Sequence, residues 1–218
     1  MQLIFVLLGP QGAGKGTQAE YLTDHFGIPA LSVGQMFREE IAKNSDLGAS
    51  VKSFVDNGKL VPQDITNKVI ANALKLPQYK SGVILDGYPR DLVQAEALAS
   101  IATVSALIDI EISDAEAINR LSQRLVCKTC GRSYNLVTRA PVVAGICDKD
   151  GGTLERRKDD TPEAIRDRLQ TYHSITEPIV DYYRKQGTVA LVNGEQPIVE
   201  VHESIVDGLK KLGIEKQK

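Results

Sequence analysis

Nine residues near the start of the chain, Gly9-Pro10-Gln11-Gly12-Ala13-Gly14-Lys15-Gly16-Thr17, leave few folds open. The apolar run Leu3-Ile4-Phe5-Val6-Leu7-Leu8 precedes them and reads as a fully buried strand. Gln18-Ala19-Glu20-Tyr21-Leu22 follows and starts a helical pattern. A glycine loop between strand and helix is the context that gives a G-x-x-x-x-G-K match its meaning. Glycines let successive backbone N–H groups curl around phosphate oxygens, the helix N-terminus adds its positive dipole end, and lysine adds a point charge. The hydroxyl expected directly after Lys15 stands one place later, at Thr17, because Gly16 intervenes. The bland alternative is a glycine-rich turn with an ordinary lysine, and the flanking strand and helix argue against it.

The rest of the chain reads as strands alternating with helices. Helical stripes fall on Ala19, Leu22 and Phe26; on Met36, Phe37 and Ile41; on Leu47, Val51, Phe54 and Val55; and on Ile65, Val69, Ile70, Ala73 and Leu74. Buried strands are expected at Gly82-Val83-Ile84-Leu85, at 106–112 and at 189–192, the second less buried at its acidic end. A helix from Asp114 carries Arg120 and Arg124 as an i, i+4 pair on one face. Thr161-Pro162-Glu163 opens a long helix whose buried side is Ile165, Leu169, Tyr172, Ile175, Ile179 and Tyr183. Pro197 to Leu212 closes the chain as a helix. This alternation predicts a P-loop NTPase-like α/β fold, a parallel sheet covered by helices on both faces. With 218 residues, there is room for one large α/β domain with insertions or for two small ones.

Asp86 ends the 82–85 run and opens Asp86-Gly87-Tyr88-Pro89-Arg90. A carboxylate at that place in a P-loop protein is where magnesium is organised; an Asp that merely caps the next turn is the alternative. The 26 basic and 28 acidic residues nearly balance, so nothing in the charge marks a nucleic-acid or membrane partner. Residues 2–8 lack a preceding basic region and run straight into the loop, so no leader is expected, and no apolar run approaches the length of a membrane span.

Composition changes at Val126, and 127–160 is rich in Cys, Gly, Lys, Arg and Asp. All 3 cysteines lie there, an odd, clustered set that suits a metal site in a reducing cytoplasm. Cys127-Lys128-Thr129-Cys130 and Cys147-Asp148-Lys149-Asp150 are two knuckles of equal spacing. Three thiolates and the Asp150 carboxylate make a closed tetrahedral set, which favours structural zinc and would substitute for a core the segment lacks. Reduced cysteines in a metal-free hairpin are the alternative.

Together these residues resemble the adenylate kinases over essentially the whole chain. The resemblance rests on the 9–17 loop, Ser32–Arg38, Gly58–Pro62, Asp86–Arg90, the Arg120/Arg124 pair, and Arg157-Lys158-Asp159-Asp160 leading into Arg166-Asp167-Arg168. The cysteine insertion resembles the metal-bearing lid of the long bacterial form. It implies a core of 1–31, 62–123 and 162–218, an NMP-binding domain of 32–61 and a zinc-binding lid of 124–161. The implied reaction is reversible transfer from MgATP to AMP, giving two ADP. It places Gly12, Ala13, Gly14, Lys15, Gly16 and Thr17 around the ATP phosphates, with Arg120, Arg124, Ser133, Tyr134 and Gln196 also at ATP. Val33, Arg38, Lys59, Leu60, Val61, Gly87, Tyr88, Pro89, Arg90 and Gln94 surround AMP, and Arg157 and Arg168 clamp the transferring phosphoryl. Lys15, Asp86, Arg90, Arg124, Arg157 and Arg168 are the implied catalytic set. The implied partners are ATP, AMP and ADP, with Mg2+ accompanying ATP; the implied state is a cytoplasmic monomer.

Three positions depart from the family pattern: Gln11 for proline, Val33 for threonine and Gln35 for aspartate. Val33 removes a hydroxyl from the base pocket while Gln94 still offers an amide, so AMP is the expected acceptor and UMP, CMP or GMP the alternative. A zinc-ribbon nucleic-acid module using Lys128, Arg132 and Arg139, and a non-catalytic nucleotide sensor, are the readings from other classes. A lone aromatic in the insertion speaks against the first, and the many placed arginines against the second.

Overall fold

The computed structural model describes residues 2–216. Strand β1 (Leu3–Leu8) leads through the glycine loop into helix α1 (Lys15–Phe26), and β2 (Ala30–Ser32), α2 (Val33–Ala42), α3 (Asp46–Asp56) and α4 (Gln63–Ala73) follow. Then come β3 (Gly82–Asp86), α5 (Leu92–Ile101), β4 (Ala106–Glu111) and α6 (Asp114–Ser122). A small segment holds β5 (Arg124–Cys127), β6 (Ser133–Asn135) and β7 (Leu154–Glu155). The chain closes with α7 (Pro162–Thr171), α8 (Ile179–Arg184), β8 (Val189–Asn193) and α9 (Ile198–Lys211).

The main sheet is parallel, in the order β2-β3-β1-β4-β8, with β1 central. Residues of β1 alternate between two cores, which explains its unbroken apolar run. Ile4, Val6 and Leu8 join Val83, Leu85, Leu107, Phe37, Val51 and Ile70 on one face. Phe5 and Leu7 join Ile84, Ile108, Ile110, Leu22 and Ile205 on the other, against α1 and α9. Helices α2 and α3 cross closely at Gly48, where a Cβ would lie 2.2 Å from the Glu40 carbonyl oxygen. Side-chain caps set several helix starts: Ser45, Asp91, Ser113 and Thr161 each accept a backbone N–H from the first turn.

The structure corrects three of the expectations. Helix α6 ends at Ser122 and Arg124 begins β5, so Arg120 and Arg124 do not share a helical face. The helix expected to run from 162 past 183 is broken by a π turn over Tyr172–Thr176, with the Glu177 N–H donating to the Tyr172 carbonyl at 2.8 Å. Pro178 has no N–H to continue the ladder, and the shifted register leaves Ile175 exposed rather than buried. At the acidic end of β4, Glu111 is exposed as expected, but Asp109 is buried at 2% exposure.

The small segment forms its own antiparallel sheet, β6-β5-β7, with Leu125 opposite Tyr134 and Cys127 opposite Leu154. Its core is only Cys127, Tyr134, Cys147 and Leu154. So little apolar burial calls for a staple.

Candidate active site

A cleft of about 1650 Å³ opens at the carboxyl ends of β1 and β3, walled by α1, α2 and the small sheet. Open parallel sheets place their ligand sites there. Its volume exceeds the roughly 300–1,000 Å³ usual for a single small ligand, so it has room for two.

The glycine loop takes shape for steric reasons. Gly9, Gly12 and Gly14 have φ of 133°, 92° and 89°, and a Cβ on Gly9 would lie 2.3 Å from the Ile110 carbonyl oxygen. The Lys15 Nζ crosses the loop and donates to the carbonyls of Gly9 and Pro10 at 2.7 and 2.8 Å. Burial pulls its pKa down to about 8; Asp86 opposes this, while Arg90, Arg168 and Arg124 add to it.

Six cations converge at the centre of the cleft: Lys15, Arg38, Arg90, Arg124, Arg157 and Arg168. They are interleaved with Asp86, Asp159 and Asp160. Each arginine comes from a different element and has its own support. Arg38, on α2, donates through Nε and Nη2 to Gln35 Oε1, both at 3.2 Å. Arg90, after β3, donates through Nε to the Gly87 carbonyl at 3.0 Å, while its backbone N–H donates to Gln94 Oε1 at 2.8 Å. Arg124, opening β5, makes a two-pronged contact with Asp160 at 2.9 and 2.5 Å. Arg168, on α7, meets Asp159 at 3.1 Å and Asp160 at 3.3 Å. Arg157 lies 3.6 Å from Asp159, and its buried Nε has no hydrogen-bond acceptor among the described residues.

The electrostatics follow from crowding like charges out of water. Burial brings the Arg38 guanidinium down to about 10, with Asp159 opposing. Burial, then Arg124 and Arg38, push Arg157 well below its ordinary value. Burial drives the Asp159 carboxyl upward, but Arg157, Arg168, Arg124 and Arg38 together outweigh it and hold it low. Positive charge in such excess suits a polyanionic ligand, whose oxygens guanidinium groups bind in pairs.

Val33, Lys59, Leu60, Val61, Gly87, Pro89 and Gln94 line the cleft, as do Gly12–Thr17, Arg120, Ser133, Tyr134 and Gln196. Tyr88 differs from expectation. Its side chain is buried, does not line the cleft, and donates to Asn67 Oδ1 at 2.8 Å and the Gln94 carbonyl at 3.2 Å. The Tyr134 hydroxyl also turns away, lying 3.3 Å from Cys147 Sγ and accepting from the Asp148 N–H at 2.8 Å. Gln94 Oε1 accepts from the Arg90 N–H at 2.8 Å. Sequence reasoning gave Asp159 and Asp160 no role, although two carboxylates beside Arg157 were the available signal. Asp159 lies against Arg157 and Arg168, and Asp160 against Arg124 and Arg168.

In the small sheet, one ligand atom from each of Cys127, Cys130, Cys147 and Asp150 lies within 4.8 Å of all the others. Cys130 and Cys147 sulfurs are 3.7 Å apart, and Cys127 Sγ is 3.2 Å from Asp150 Oδ1. Sulfurs about 2.3 Å from a tetrahedral ion are about 3.8 Å apart, so the set fits zinc. Backbone N–H groups of Thr129 and Cys130 face Cys127 Sγ, and that of Gly152 donates to Asp150 Oδ1. These are the outer contacts that orient metal ligands. Asp148 instead accepts from the Val142 N–H.

The family model for adenylate kinase matches residues 7–188. An adenylate kinase of Caldicellulosiruptor saccharolyticus is 40% identical over 215 residues, 96% of this chain and 99% of that protein. One from Desulfitobacterium hafniense is 41% identical over 210 residues, 94% and 97% of the two chains. One from Staphylococcus aureus is 40% identical over 212 residues, 95% and 99% of the two chains.

Proposed function

The chain belongs to the adenylate kinase family, and from that premise we propose how its cleft works. The activity is ATP:AMP phosphotransfer, with MgATP and AMP interconverting with two ADP.

The donor triphosphate lies in the loop of Gly12–Thr17, where backbone N–H groups and Lys15 meet its outer phosphates. Arg120, Ser133 and Gln196 border the donor nucleoside. The acceptor sits against Val33, Lys59, Leu60 and Val61, with Gln94 at its base and Arg38 and Arg90 on its phosphate. Arg124, Arg157 and Arg168 surround the phosphoryl group between the two. Phosphoryl transfer needs in-line positioning and charge neutralisation, with little covalent work from the protein. Planar guanidinium forks supply both, because each binds two oxygens at once. The buried Nε of Arg157 carries the reading: it lies 3.6 Å from Asp159 but has no hydrogen-bond acceptor among the described residues.

Magnesium accompanies ATP and offsets part of its charge; Asp86 and Thr17 offer the oxygen donors it prefers, and Asp86 would hold it through water. Residues 1–31, 62–123 and 162–218 act as the fixed core, 32–61 as the acceptor domain and 124–161 as the lid. Lid closure, for which adenylate kinases are a standard example, keeps water from the phosphoryl group. Cys127, Cys130, Cys147 and Asp150 would hold a structural zinc ion, which would make the lid one rigid body. We place the protein in the cytoplasm as a monomer, where its three free thiols stay reduced for the metal. Near-neutral charge supports nucleotides, not nucleic acid or membrane, as its partners.

Replacing Arg157 by Lys tests the clamp. Steady-state kinetics should give a kcat about a thousandfold lower with KM for ATP little changed, the scale expected for an arginine at a transferring phosphoryl. A kcat within tenfold of the unmodified enzyme would remove Arg157 from the chemistry.

A further inference from the structure

The lid also touches α1, through Arg132, Arg139 and Glu20, which lie outside the family motifs, and through Thr17 at the end of the glycine loop. Arg139 Nη2 donates to Glu20 Oε2 at 2.6 Å, and Arg139 Nη1 donates to Thr17 Oγ1 at 3.4 Å. Arg132 Nη2 reaches the same Glu20 oxygen at 3.4 Å. Thr17 and Glu20 are three residues apart on α1 and share a face, so one guanidinium can meet both.

The arginines are held for this contact. Asn135 and Arg139 exchange backbone hydrogen bonds, and Asn135 Oδ1 accepts from the N–H groups of Val137 and Thr138, closing the turn after β6. Asn135 Nδ2 ties that turn to the Arg120 carbonyl at 3.2 Å. Arg132 lies over the Tyr134 ring, 5.9 Å from its centroid. Among the described residues, Glu20 is the only carboxylate in an ion pair with either arginine.

We propose that Glu20 is the catch of the lid. It receives Arg139 and Arg132 when the lid is down, positions the lid over the donor loop at Thr17, and must release both before nucleotides exchange. This rests on reading 124–161 as the lid. The chemistry suits a contact that breaks at every turnover, because partly exposed ion pairs are individually weak and screened by salt. Side-chain exposures of 41% for Glu20, 19% for Arg139 and 29% for Arg132 put the catch in that range. Glu20, Arg132 and Arg139 are positioning residues, acting on closure rather than on the reacting atoms.

The test is the kinetics of the full-length enzyme, E20Q, R139Q and the charge-swapped E20R/R139E pair, at low and high ionic strength. Each single variant should raise KM for ATP about two- to fivefold without lowering kcat. Added salt should raise KM for ATP in the unmodified enzyme but leave E20Q nearly unchanged, and the swapped pair should recover toward the original KM. An E20Q enzyme with the original KM and salt response would overturn the catch, as would a lower kcat with KM intact. If the unmodified enzyme forms ADP and E20Q matches it, only the catch falls; if the unmodified enzyme forms none, the lid reading falls with it.

Discussion

Asp109 sits inside the sheet at 2% exposure, and its Oδ1 has no hydrogen-bond partner among the described residues. Burial raises its pKa from 3.8 to about 6, helped by Glu111 and Glu177 and opposed by Lys15 and Arg184. The folded chain therefore holds this proton up to about pH 6 while the unfolded chain loses it near 3.8. Its stabilising share is present below pH 3.8 and is lost as pH rises through 6. Asp109→Asn should stabilise the protein at pH 7.5 by on the order of 2 kcal/mol and give little gain near pH 4, as read by denaturant melts. An equal effect at both pH values would show that Asp109 carries no buried charge. The sequence hid this residue because an acid in a strand reads as a solvent-facing end, and only the pairing of β4 with both β1 and β8 encloses it. Lys15 and the arginines were legible one by one from their motifs. Their supports were not: that Asp160 grips Arg124 depends on a contact 36 residues apart in the chain, and Gln35, three residues before Arg38, was read only as a departure from the family pattern.

At the scale of elements, β1, α1, β3 and α9 were legible because period and caps agree with the packing. The break after α7 was missed although Pro178 marked it, since the apolar spacing alone carried on through 183. The small sheet was legible only as two knuckles; its strands are two to four residues long and carry no usable period. Its stability should therefore follow its metal. The purified chain should hold one zinc ion, and chelation should lower the melting temperature and open 128–152 to protease. Cys147→Ser should lose the ion, whereas Asp150→Cys should keep it. A metal-free protein whose melting is indifferent to chelators would contradict the staple.

Across the whole molecule, the cleft brings together arginines from α2, the loop after β3, β5 and α7. No segment holds more than part of that cluster, so it exists only while the small sheet and α2 lie against the main sheet. Gly131 of the small sheet segment and Gln35 of α2 meet, since a Cβ on Gly131 would lie 2.5 Å from the Gln35 amide. Closure over two phosphorylated substrates at once is what distinguishes this account from a sensor that binds a single nucleotide. The most direct measurement is ADP formation from MgATP with AMP, CMP, UMP or GMP as acceptor. The account predicts rapid turnover with AMP, two ADP formed for each ATP consumed, and little with the other bases. Turnover preferring another base would contradict the acceptor assignment at Val33 and Gln94, and no turnover with any acceptor would contradict the account as a whole.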